Sequence, residues 1–91
     1  MIKKRPYFEK RTTLFEGTEN VKEIRYLDSD GRLHRDDDKP ALVEYHSNTN
    51  VKFRAWYKHG VMHRARGYAW ALFDSCGKPS VGLKVQNDRI L

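Results

Sequence analysis

The residues whose types and spacing could do chemistry centre on Trp56. Lys52, Arg54, Trp56 and Lys58 recur at every second position, which on a β-strand puts all four on one face. An aromatic plane flanked by cations suits single-stranded RNA or DNA, whose bases stack while its phosphates are neutralised. The competing expectation is that Trp56 is a core residue and the cations form a solvated edge. Tyr68 and Trp70 are a second aromatic pair of shared parity, open to the same two readings. Two His-Arg pairs, His34-Arg35 and His63-Arg64, carry the next signal. Planar guanidinium groups suit phosphate oxygens and base stacking together. Arg35, Arg64 and Arg66 are therefore expected at phosphates, the second pair having no nearby acid in the sequence. The histidines are expected to be structural, each bonded to the backbone of a neighbouring hairpin. Lys4 and Arg5 belong to a basic start that is either an arm touching phosphates or part of a charged edge strand.

Other candidate chemistry is weaker. Asp36-Asp37-Asp38 offers hard oxygen ligands for Mg²⁺, but consecutive side chains rarely converge and no spaced acidic partner follows. His59 and His63 are separated by a turn and lack a third ligand. Cys76 has no companion base for nucleophilic work, and no glycine-rich phosphate loop or serine elbow is present. No catalytic residue, metal site, cofactor or enzymatic activity is expected.

Composition points the same way. Lys and Arg exceed Asp and Glu by 18 to 12, a net charge of +6, so the expected partner is anionic, nucleic acid first. The acids of the middle third gather between Asp28 and Asp38, leaving Lys52 to Lys58 locally positive. One cysteine excludes an internal disulfide framework and suggests a reducing compartment. Met1-Ile2-Lys3-Lys4-Arg5 begins like a leader, yet no apolar segment follows and no run approaches a membrane span. A cytoplasmic protein is the expectation.

The elements that must position these residues read as hairpins. Gly31-Arg32-Leu33-His34-Arg35 returns as Gly60-Val61-Met62-His63-Arg64, and such self-similarity marks a repeat. Turns are signalled at Gly17 to Asn20, Asp28 to Gly31, His46 to Asn50 and Ser75 to Pro79. Between them, strands are expected over Val21 to Tyr26, Arg32 to Arg35, Ala41 to Tyr45, Val51 to Tyr57, Tyr68 to Phe73 and Val81 to Val85. Val51, Phe53, Ala55 and Tyr57 are expected to face the core. No window has a sustained helical period. The reading is an all-β antiparallel meander of hairpin repeats, about two and a half units in a single domain, residues 1–91. A basic N-terminal segment (1–20) precedes repeat regions 21–59 and 60–91.

Trp56-Tyr57-Lys58-His59-Gly60-Val61-Met62-His63-Arg64 resembles the hairpin repeats of many phage and giant-virus proteins. These have the form Trp-Tyr, two residues, Gly, one residue, Leu-His-Arg, then Gly-Pro-Ala. They are similar to membrane occupation and recognition nexus (MORN) repeats. Gly31 to Arg35 matches the middle of that form, Pro40-Ala41 its end, and Gly67-Tyr68-Ala69 has Tyr where Pro is usual. The resemblance implies a structural role for His34, His63, Gly31 and Gly60 and a viral or bacterial source. Size and charge are also similar to small phage proteins that bind RNA and inactivate a host endoribonuclease toxin, which implies a counter-defence role. The alternative is a protein-interaction module, in which open edge strands pair with a partner or form a homodimer.

Overall fold

The computed structural model describes residues 6–83, 85–86 and 89–90. Its strands are β1 (Glu9–Leu14), β2 (Val21–Leu27), β3 (Leu42–Tyr45), β4 (Val51–Ala55), β5 (Tyr57–Lys58), β6 (Val61–Met62), β7 (Trp70–Phe73), β8 (Pro79–Leu83), β9 (Val85–Gln86) and β10 (Arg89–Ile90). Six of them form one antiparallel sheet in the order β1-β2-β3-β4-β7-β8, while β5 with β6 and β9 with β10 form small hairpins. The chain is an all-β meander, and among the described residues no helix is long and apolar enough to cross a membrane.

Turn chemistry sets the register. In the turns Asp28–Arg32, His46–Asn50 and Asp74–Lys78 the first amide donates to the fifth carbonyl and the fourth amide donates to the first carbonyl. The fourth residue, Gly31, Thr49 or Gly77, is left-handed at φ 80°, 75° and 86°. The Asp28 and Asp74 carboxylates brace their turns by accepting from amides two and four residues on. The β5–β6 hairpin instead closes over two residues, His59 and Gly60, both at positive φ, the geometry that matches strand twist. Each long hairpin also carries one register shift, leaving Lys22, Lys52 and Ser80 as the extra residues on β2, β4 and β8.

Cross-strand pairing puts Thr12, Ile24, Val43, Arg54, Ala71 and Gly82 in one row. By alternation, Lys10 and Tyr26 share that first face. The flanking rows point the other way: Arg11, Arg25, Leu42, Ala55 and Trp70 in one, Thr13, Glu23, Glu44, Phe53, Leu72 and Val81 in the next. The buried apolar residues are Tyr26, Leu27, Ala41, Val43, Ala55, Trp56 and Ala69, and no large side chain among the described residues is wholly buried.

Two expectations need correction. Val51 to Tyr57 is not one continuous strand, because the chain leaves the sheet after Ala55 and Trp56 turns inward. The face expected to be open therefore holds a buried tryptophan, whereas Val51, Phe53 and Tyr57, expected in the core, are only half-buried. Arg32 to Arg35 is likewise no strand, since only Leu33 bridges back to Leu27.

Candidate nucleic-acid interface

The His-Arg pairs build the fold before they can do anything else. The His34 amide donates to the Tyr26 carbonyl and the His63 amide to the Trp56 carbonyl, at 2.9 and 3.0 Å. Those two aromatic residues in turn donate their amides to Ala41 and Ala69. The arginine after each histidine folds back over the same ring, Arg35 3.7 Å above Tyr26 and Arg64 3.8 Å above Trp56. Each guanidinium then donates to a carbonyl further along the chain, Arg35 to Pro40 five residues on and Arg64 to Tyr68 four residues on. Tyr26 and Trp56 are thus the same residue of successive repeats. Their separation is 30 rather than 29 because the first turn is one residue longer, and this hides the equivalence in a fixed-period reading.

Neighbouring repeats are clamped through titratable groups. His34 is buried, and its Nδ1 accepts the His59 amide at 3.1 Å. The two imidazoles stack with centroids 4.0 Å apart. Asp28 takes His59 Nδ1 at 2.7 Å and Arg32 at 3.1 Å. Burial opposes its ionisation, yet the His59 hydrogen bond, the Arg32 and Asp30 amides and the Arg32 charge hold its carboxyl far below the usual range.

The acidic loop takes the place imagined for phosphate. Lys58 reaches Asp36 at 2.6 Å, and that hydrogen bond outweighs burial to lower the Asp36 pKa, helped by His34. Arg64 grips both oxygens of Asp38, at 2.9 and 3.3 Å, and so lowers its pKa against a smaller opposing effect of burial. The expectation that Arg64 lacks an acid is therefore corrected: Asp38 lies 26 residues away in sequence and arrives from the preceding repeat. Trp56 is 9% exposed and donates its indole N–H to the Asp38 carbonyl, so it is not an open stacking platform. No group of three or more metal-ligating side chains gathers among the described residues.

Four of the expected binding residues, Arg35, Trp56, Lys58 and Arg64, surround one cleft of about 200 Å³ beside Asp38. The others are dispersed. Lys52 lies in a second cleft with Lys22, Glu23 and Glu44. Arg54 stands on the first face above the Phe73 ring at 5.3 Å. Trp70 lies on the opposite face, tilted against Phe53, and Arg66 is exposed in the loop before β7. Lys4 and Arg5 fall outside the described residues.

Tyr68 is the one expected aromatic that is well exposed, at 52%. Its ring lies over Gly82, where a Cβ would come within 2.9 Å of the ring carbons. Gly82 ends the row that contains Arg54 and Ala71, so Tyr68 and Arg54 flank a shallow strip floored by small residues. Charge is divided between the faces. Glu9, Glu23 and Glu44 all point to the second face, where Glu9 pairs with Arg11 and Glu23 with Arg25. Lys10 and Arg54 on the first face have no ion pair with a described carboxylate. Compared with protein-family models, with curated proteins and with solved structures, the chain matches none of them.

Proposed function

We propose that this protein binds single-stranded nucleic acid, RNA in the first place, across the first face of its sheet. The observation that carries the reading is the division of charge: the carboxylates of the sheet strands, Glu9, Glu23 and Glu44, point to the second face, while Lys10 and Arg54, which have no ion pair with a described carboxylate, point to the first. A base stacks on Tyr68, while phosphates are met by Arg54 and Lys10 and by Arg66 at the rim. The cleft arginines Arg35 and Arg64 contribute field rather than free donors, being engaged with rings, carbonyls and Asp38. This arrangement favours a flexible strand over a duplex, since an exposed ring beside cations reaches unstacked bases. The narrower role implied by the repeat resemblance, inhibition of a host endoribonuclease toxin together with RNA, is supported by size, charge and repeat form.

The test is anisotropy of a labelled RNA of about 20 nucleotides, long enough to cross a small sheet. Affinity is expected to fall steeply between about 50 and 200 mM salt. Arg54→Ala should lower the salt slope by about one, equally for all sequences. Tyr68→Ala should cost about 1–3 kcal/mol, the usual worth of one stacked base. Arg25→Ala, on the opposite face, should change nothing. Equal losses from Arg25→Ala and Arg54→Ala, or binding indifferent to salt, would refute the reading.

A further inference from the structure

We infer that the second face of the sheet is an interface between two copies of this chain. Its rows bring together Leu42, Phe53, Ala55, Trp70, Leu72 and Val81 across β3, β4, β7 and β8. Apart from Ala55 these side chains are only partly covered, and Val81 is 49% exposed. Among the described residues the only strands outside the large sheet form two short two-stranded hairpins, so no second sheet of comparable size is present to cover the patch. A sheet with an apolar face ordinarily buries it against another layer. The shape agrees, because the radius of gyration is 13.7 Å where a compact chain of this length has about 12 Å.

Charge selects a second copy as the occupant. With a net charge of +6, two copies repel wherever their unopposed cations meet, and Lys10 and Arg54 close the first face to self-association. The second face differs. Its strand cations Arg11 and Arg25 are already paired with Glu9 and Glu23, and Lys22 and Lys52 share one cleft with Glu23 and Glu44, so carboxylates stand beside every cation near the apolar patch. A two-fold axis through the patch sets Phe53, Trp70 and Leu72 of each copy against their counterparts, with Glu44 and Arg25 at the rim. The sheets then lie about 10 Å apart in an aligned sandwich. Both basic faces are left outward, back to back.

Sedimentation of nuclease-treated protein in 0.5 M salt tests this, because bridging by nucleic acid is removed and apolar association persists. The expected result is a dimer that dissociates on dilution from about 100 to about 1 μM, the range for a small interface. Phe53→Lys and Leu72→Lys should each weaken it at least tenfold while the far-ultraviolet circular dichroism stays that of the parent. Should those variants fail to fold, Trp56→Phe leaves Trp70 as the reporter, and its emission should move red on dilution. A monomer at every concentration overturns the inference, as does an emission that ignores dilution. A dimer untouched by both lysines also overturns it and assigns association to the sheet edges instead. None of these outcomes depends on whether RNA binds the opposite face.

Discussion

At the scale of single residues, the acids of this basic chain are largely its fasteners. Asp28, Asp36 and Asp38 are all held below the ordinary carboxylate pKa. A carboxyl depressed in the folded state contributes stability that is present above its unfolded pKa, about 3.9, and is lost as pH falls through its folded value. The urea midpoint is therefore expected to be flat above pH about 5 and to drop below pH about 4. Asp38→Asn should flatten that drop, and a profile identical to the parent would show that the Arg64 pair contributes nothing. Arg64 itself is expected to be structural even without a ligand. Arg64→Ala removes the ring contact, typically about 0.5–2 kcal/mol, and strands the Asp38 carboxylate, so nucleic-acid-free protein should melt earlier. Unchanged melting with weakened RNA binding would instead make Arg64 a phosphate ligand. Gly82 offers a cleaner handle on Tyr68. Gly82→Ala forces the ring aside, so it should weaken RNA as Tyr68→Ala does while barely moving the circular dichroism.

At the scale of elements, the turns explain what could be read from the sequence and what could not. Asp-Gly at residues 30 and 31 and His-Gly at 59 and 60 announced hairpins because glycine enters the left-handed region without penalty. Thr49 sits in the same conformation at φ 75° with a β-branched side chain, which is uncommon and costly. Thr49→Gly should raise stability by about 1 kcal/mol, the usual cost of a left-handed non-glycine residue, and a lower melting temperature would show that its side chain compensates. The turn it belongs to is also a clamp: Asn48 and Asn50 both donate to the Ser75 carbonyl, and His46 Nε2 lies 3.0 Å from the Phe73 carbonyl. Strand alternation revealed β3, β4 and the all-β class, since period two is local. It could not reveal that β4 stops at Ala55, because the stop is imposed by the Trp56 bonds to Ala69 and His63 in the next hairpin. Asp38 and Arg64 were legible as charges but not as a pair, because only the stacking of one repeat on the next brings them together. Tyr68 was legible as an aromatic, while its exposure depends on Gly82 arriving beneath it from β8.

At the scale of the whole molecule, the sheet behaves as a row of neighbours rather than a shell around a core. Contacts run from strand to adjacent strand, so local stability depends on how many neighbours a strand has. β3 and β4 are flanked on both sides; they carry the buried Val43 and Ala55, and the buried Ala41 and Trp56 adjoin them. β1 is an edge strand, five of whose six residues are exposed. Hydrogen exchange should follow this gradient, with the slowest amides in β3 and β4 and protection falling through β2 to β1. Placing the nucleic-acid face and the apolar face on opposite sides of the same strands adds a second expectation. Bound RNA should slow exchange of Arg54 and Ala71 amides only through their strands' ladder bonds, whereas dimerisation should slow β7 and β8 together, raising an edge that is otherwise as open as β1. If β8 exchanges as fast as β1 at concentrations where the protein sediments as a dimer, the second copy is not seated on that end of the sheet. If β1 is the more protected edge, the apolar rows are not what holds the pair together.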